Sequence, residues 1–202
     1  MCKVPHVITI NAYCSTGNLW IRPTTCVTVH WIGIVGKSSL ARQFVTGDFT
    51  AQYEPTIENT WSKTFVLGND EFELDVVDTS GQDEYSLLPQ SFIFGIHGYI
   101  VVYSVACTRS FQIASGLHRV LTDRRGKCLM PIVLVGNKND LPAHSRQVKT
   151  EDGKKLADSW GAAFMEASAK DPEISKQIFT KIIEEIDRVE NSFTEEKKCR
   201  LM

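Results

Sequence analysis

No apolar run in this chain of 202 residues approaches the roughly 20 that a bilayer-spanning helix needs. Net charge is also scarce. Lys and Arg number 22 against 24 Asp and Glu, a formal charge of −2. Non-specific nucleic-acid binding wants a basic surface, so no nucleic-acid partner is expected. Cys2, Cys14, Cys26, Cys107, Cys128 and Cys199 form no C-x-x-C pair and no zinc-ligand spacing. They are expected to be reduced thiols, with Cys199 set apart below. There is no internal repeat and no low-complexity tract. No acidic residue occurs before Asp48. That opening faintly suggests a transit peptide, but it is not Arg-rich, and its β-branched residues disfavour an amphipathic helix.

What is present is ordinary for a globular chain: 43% hydrophobic and 23% charged residues. The length suits one well-buried α/β domain and is short for two. Ser38 to Val45 reads as a short helix. Ser62 to Leu67 and Glu71 to Val77 read as a hairpin through Gly68-Asn69-Asp70. Tyr99 to Val105 is a buried strand and Ser110 to Leu121 a helix. A strand over Ile132 to Val135, a helix over Thr150 to Trp160 and a strand over Ala163 to Glu166 follow. In a final helix Ile174, Ile178, Ile182, Ile186 and Val189 recur at three- or four-residue spacing, a core-facing stripe. Strands alternating with helices predict an α/β fold: a mostly parallel sheet with helices on both faces.

The sharpest chemical signal is Asn137-Lys138-Asn139-Asp140, directly after the apolar run Pro131 to Gly136. Open α/β sheets bind ligands at the C-terminal ends of their strands. An Asp carboxylate there can accept from guanine N1–H and from the exocyclic amine. Adenine would leave it unpaired, at a cost of several kcal/mol in order of magnitude. Gly36-Lys37-Ser38-Ser39 opens the first helix, where backbone N–H groups bind phosphate oxygens. Lys37 would add charge on the phosphates, and the Ser38 hydroxyl suits Mg²⁺. The full G-x-x-x-x-G-K-S/T pattern requires Gly where Trp31 stands. Asp78-Thr79-Ser80-Gly81-Gln82 follows a strand. Its carboxylate could hold a magnesium-bound water, Gly81 could approach a γ-phosphate, and Gln82 could orient an attacking water. Thr56, in the polar loop Tyr53 to Thr60, could reach the metal. Ser168-Ala169-Lys170 follows the last strand, where a backbone N–H could contact guanine O6. Each segment alone has a bland reading as a turn, a loop or a helix cap. Their shared order is the stronger signal.

From Val35 onward the chain resembles the Ras superfamily of small GTPases, most closely its Rheb-like branch. The carrying residues are Tyr53-Glu54-Pro55-Thr56-Ile57-Glu58-Asn59-Thr60, Val77 to Ser86, Gly98 to Val105, Leu134 to Lys138 and the terminal Cys199-Arg200-Leu201-Met202. The resemblance implies a three-layer P-loop NTPase fold, a Ras-like G domain with a six-stranded, mostly parallel sheet. It implies a GTP/GDP switch that hydrolyses GTP slowly, activates the TOR kinase complex on endomembranes, and is accelerated by a tuberin-type activating protein. By position it assigns the phosphate loop to Ile34, Val35, Gly36, Lys37, Ser38 and Ser39. Phe49 would pack on guanine and Tyr53 would cover the phosphates. Ser38, Thr56 and Asp78 would serve the magnesium. Asn137, Lys138 and Asp140, with Ser168, Ala169 and Lys170, would contact the base.

The departures lie at the start. About 30 foreign residues precede the phosphate loop, and its leading strand must be rebuilt from Cys26-Val27-Thr28-Val29-His30. Trp31 replaces the first loop glycine, Ile34 a small residue near the phosphates, and Ser80 an Ala. The abrupt change before Val35 points to a different exon, a splice variant or a mistaken gene model. The expected organisation is a poorly ordered extension over 1–24, a G domain over 25–190 and a flexible tail over 191–202. Cys199-Arg200-Leu201-Met202 is a C-a-a-X box whose final Met favours farnesyl. It implies farnesyltransferase as a partner and a single lipid that binds membranes reversibly. The expectation is a monomer in the cytoplasm and on the cytoplasmic face of the lysosome, Golgi or ER. Two classes stay open: a hydrolysing switch, or a nucleotide-poor pseudo-GTPase whose broken phosphate loop leaves only a binding module.

Overall fold

Apolar residues on both faces mark the two strands at the heart of the sheet. The computed structural model describes residues 5–14, 25–32, 35–50, 58–67, 70–79, 97–125 and 130–199. In it, Gly98–Ser104 (β5) and Ile132–Asn137 (β6) are buried at every position, as strands covered on both sides must be. Around them lie β1 (Pro5–Cys14), β2 (Thr25–Ile32), β3 (Glu58–Leu67), β4 (Asp70–Thr79) and β7 (Ala163–Ala167). The helices are α1 (Lys37–Thr46), α2 (Thr108–Arg125), α3 (Thr150–Trp160) and α4 (Pro172–Cys199).

The sheet order is β3-β4-β1-β2-β5-β6-β7. Ladders β2–β5, β5–β6 and β6–β7 are parallel, whereas β1–β2, β1–β4 and β3–β4 are antiparallel. This is the expected α/β architecture, a sheet with helices on both faces, and β1 adds an antiparallel strand to it from within the stretch 1–24. Its run Val7-Ile8-Thr9-Ile10 is β-branched throughout and pairs with the equally β-rich β2. The rebuilt strand at Cys26–His30 is present as part of β2. Trp31, expected at the turn into the phosphate loop, is still inside β2, paired with Val102 and His6.

Period-2 alternation divides the core into two layers. Ile100, Val102, Val133 and Val135 face α1 and α4, packing with Leu40, Phe44, Phe179 and Ile182. Tyr99, Val101, Tyr103 and Leu134 face α2 and α3, packing with Leu117, Leu121 and Ala157. The Phe44 and Phe179 rings stack at 3.7 Å, joining α1 to α4. Lys63 of β3 donates to the carbonyls of Phe44 and Val45 at the end of α1, where the helix dipole favours a cation. The predicted α4 stripe is in the core: Ile178, Ile182, Ile186 and Val189 are all buried. The helix continues to Cys199, into the stretch expected as a flexible tail. Residues 190–199 contain Glu and Lys but no Gly or Pro to stop it. Among the described residues, no helix is long and apolar enough to cross a membrane.

Candidate nucleotide-binding site

The C-terminal ends of β2, β5, β6 and β7 carry the candidate site. Gly36 is the N-cap of α1, with φ 82° and ψ 30°, a left-handed backbone that glycine alone adopts cheaply. A Cβ on Gly36 would also lie 2.7 Å from Asn137 Nδ2. The α1 N-terminus has no side-chain cap and no acidic residue in its first turn. Its leading N–H groups and positive dipole end favour an anion. The residues present therefore fit a phosphate group at this turn.

Asn137 ends β6 and is fully buried. Its Nδ2 donates to the Val35 carbonyl at 2.5 Å, and its Oδ1 accepts from the Ala169 N–H at 3.2 Å. One amide thus ties the turn before α1 to the loop after β7. The next residue, Lys138, has φ 69°, the sole positive φ at a non-glycine among the described residues. Its stem passes over Gly36, with Cε 3.8 Å from where a Cβ would stand. The Asn139 N–H then donates to the Ala167 carbonyl at 3.0 Å. Asp140 Oδ2 receives Lys170 Nζ at 2.6 Å. That hydrogen bond holds the Asp140 carboxyl below the usual carboxylate range, against a smaller opposing effect of burial. The Ser168 hydroxyl accepts from the Lys170 N–H at 3.3 Å.

One family model matches most of the chain. The Ras family description fits residues 31–188. The chain belongs to the Ras family. It is 56% identical to GTPase RhebL1 of Bos taurus over 167 residues, 83% of this chain and 92% of that protein. It is 46% identical to GTP-binding protein Rheb of Homo sapiens over 169 residues, 83% of this chain and 91% of that one. GTP-binding protein rhb1 of Schizosaccharomyces pombe is 44% identical over 157 residues, 78% of this chain and 84% of that one. This is a Rheb-like small GTPase, and such Ras-family proteins bind GTP and GDP and hydrolyse GTP. The family match begins at residue 31, so β1 lies outside it.

The structure brings Val35, Gly36, Asn137, Lys138 and Ala169 into one hydrogen-bonded and packed group, with Asp140 and Lys170 paired beside it. Ser38 and Ser39 lie half-buried in the first turn of α1. Phe49 follows α1 and is 39% exposed. Arg42 steadies that segment by donating to the Thr50 hydroxyl at 3.1 Å. Ile34, Tyr53, Thr56, Gly81 and Gln82 lie outside the described residues, as do the side chains of Lys37, Asp78 and Cys199. The backbone of Asp78 is in β4, opposite Asn59. An oxygen-only donor set from Ser38, Thr56 and Asp78 is the chemistry Mg²⁺ prefers.

Two supporting features escaped the sequence reading. Arg146 grips Glu166 of β7 with both guanidinium nitrogens, at 2.7 and 2.9 Å, and Thr150 adds a 3.0 Å hydrogen bond. The clamp fixes β7 immediately before Ser168. Gly136, the residue before Asn137, must lack a side chain, because a Cβ would stand 2.9 Å from the Tyr103 hydroxyl oxygen. Neither carries a sequence signal, since the partners are 20 and 33 residues apart and belong to no motif.

Proposed function

We propose that this small GTPase is a magnesium-dependent GTP/GDP switch that acts on the TOR kinase complex when GTP-loaded. The observation that carries the reading is the Asn137 tie. It holds the phosphate-binding turn at Val35–Gly36 and the base loop at Ala169 in one rigid arrangement. Pre-organisation of this kind lowers the ordering cost of binding. Asp140 would accept from guanine N1–H and the exocyclic amine. Its oxygens have room for both and for Lys170, since a carboxylate offers about four lone-pair sites. Lys138 would flank the base and Phe49 would cover it. The α1 N-terminus, with Ile34, Val35, Lys37 and Ser39, would hold the phosphates. Ser38, Thr56 and Asp78 would hold Mg²⁺ directly or through water, and the ion would neutralise charge developing on the phosphates. Tyr53 would shield the phosphates, and Gly81 and Gln82 would place the attacking water.

The Rheb names of its relatives support the same partner set: the TOR complex as effector, a tuberin-type activating protein and farnesyltransferase. A farnesyl on Cys199 would hold the chain reversibly on the cytoplasmic face of the lysosome, Golgi or ER. The test is to purify the whole chain and identify the nucleotide that travels with it. GDP or GTP at near one per chain is the expected result, and adenine nucleotide or none would reject the reading.

One observation favours a weaker version. Trp31 is held inside β2 by pairing on both sides, where an intact phosphate loop would already have a glycine. A pseudo-GTPase with the fold and a poor phosphate site would then co-purify without nucleotide.

A further inference from the structure

Where α1 ends, the chain is turned back along it. Gly47, the C-cap, has φ 76° and ψ 9°, and its N–H donates to the Gln43 carbonyl at 3.0 Å. A left-handed residue at this position ends a helix and redirects the chain. The Thr46 hydroxyl donates to the Arg42 carbonyl at 2.9 Å and accepts from the Asp48 N–H at 3.3 Å. Arg42 Nη1 then donates to the Thr50 hydroxyl at 3.1 Å. Asp48 and Thr50 are thus both tied to the last turns of α1, and Phe49 is the residue between them. The base of this turn is itself fixed, because Lys63 of β3 donates to the Phe44 and Val45 carbonyls.

With 39% of its surface exposed, Phe49 is not held by burial alone. The two ties beside it are unequal. Thr46 and Asp48 are exposed, so water competes for their hydrogen bond, whereas Arg42 and Thr50 are half-buried. The Arg42–Thr50 bond also carries a charged donor, which makes it the stronger of the two. We propose that Arg42 and Thr50 are positioning residues for the guanine base. Their hydrogen bond keeps Phe49 where its ring covers the base, and so sets how fast the nucleotide leaves. A side chain held in place beforehand loses less freedom when the ligand binds. The base is common to GDP and GTP, so the effect is the same on both. This role rests on the reading of Phe49 given above; the ordering of residues 48–50 by Arg42 does not.

The test uses the full chain. The first readout is release of a fluorescent GDP analogue, chased with excess GDP. Arg42→Ala and Thr50→Val should each speed release at least about fivefold, the scale of one hydrogen bond to a charged group. The double variant should be no faster than either alone, since both remove the same bond. Arg42→Lys, which keeps a cationic donor, should fall between Arg42→Ala and the parent. A non-hydrolysable GTP analogue should leave faster by the same factor. In a Phe49→Ala background Arg42→Ala should add nothing, a result that a merely structural role would not give. Parent-like release in either single variant overturns the proposal, as does an undiminished effect in the absence of the Phe49 ring or a loss confined to the GTP analogue. The second readout is chymotrypsin cleavage after Phe49 without added nucleotide. Cleavage tracks the population of the opened segment, so it should rise at least about fivefold in Arg42→Ala. Equal cleavage refutes the ordering by Arg42. If the parent chain binds no guanine nucleotide, the nucleotide reading fails and the positioning role falls with it, while cleavage still decides whether Arg42 orders the segment.

Discussion

Asp140 is the residue proposed to set base selectivity. An amide in its place can donate to the keto oxygen that xanthine carries where guanine has its amine. Asp140→Asn should therefore shift preference from GTP toward xanthosine triphosphate, read by competition binding. Unchanged selectivity would remove Asp140 from the base pocket. Lys170 sets the acid limit of the same contact. Because Lys170 depresses the Asp140 pKa, the carboxylate survives below the usual carboxylate range, and guanine binding should fail only as pH falls through that lowered value. In Lys170→Ala the largest cause of the depression is lost, so GDP affinity should begin to fall at a higher pH than in the parent chain. Superimposable pH profiles would contradict this. Tyr103 offers a stability test. Its buried hydroxyl has no hydrogen-bond partner among the described residues, and burial pushes its pKa up. Gly136→Ala should cost about 1–3 kcal/mol by overpacking against that oxygen. Adding Tyr103→Phe should recover much of the loss in urea unfolding. A double variant no better than Gly136→Ala alone would show that the clash lies elsewhere.

At the scale of elements, β7 and its clamp matter most. Removing Arg146 leaves Glu166 with Thr150 as its remaining partner on a half-buried strand. Arg146→Ala should cost about 2 kcal/mol of stability and weaken GDP binding by loosening the loop at Ser168–Lys170. A stability loss with unchanged GDP affinity would confine the clamp to folding. These partners also show what the sequence could and could not reveal. β5 and β6 were legible because strands buried on both faces must be continuously apolar. α3 was legible to the residue, bounded by Thr150 and Gly161. α4 was legible from its isoleucine spacing, except at its end, where composition suggested a tail and helix propensity carried the helix on. Asn137 was legible as a candidate base contact, but not as the tie to Val35, a partner 102 residues away. β1 was illegible for a different reason. Its β-branched residues permit a strand, yet nothing local says which edge they will take.

At the scale of the whole molecule, two regions at opposite ends of the chain decide whether it works as a switch. The altered start should weaken GTP by on the order of 10²-fold if about 3 kcal/mol is lost. Trp31→Gly with Ile34→Ser should restore most of it. A parent chain that already binds GTP as tightly as ordinary small GTPases would show the missing glycine to be harmless. At the other end, Cys199→Ser should leave the protein fully soluble in cells and weaken TOR-complex activation, with nucleotide affinity intact in vitro. Intact-mass analysis without an added isoprenoid on the parent chain would defeat the lipid assignment. Lys197 and Lys198 precede the cysteine, but Glu195 and Glu196 offset them, so a lone lipid should exchange between membranes.

The stacked rings of Phe44 and Phe179 give these two ends a mechanical relation. α1 begins at the proposed phosphate turn, and α4 ends at Cys199. From Phe179 to Cys199 the helix extends about 30 Å at 1.5 Å per residue. Through the Phe44–Phe179 stack it leans on the helix that opens at the proposed phosphate turn. A tilt of about 5° at the ring contact would swing the far end of α4 by about 2.6 Å over that length. Were Cys199 lipidated as proposed, occupancy of the phosphate turn would be read as a change in how the domain stands on a membrane. Distances between spin labels on α2 and near residue 198, compared with GDP and with a GTP analogue, would show such a swing or its absence.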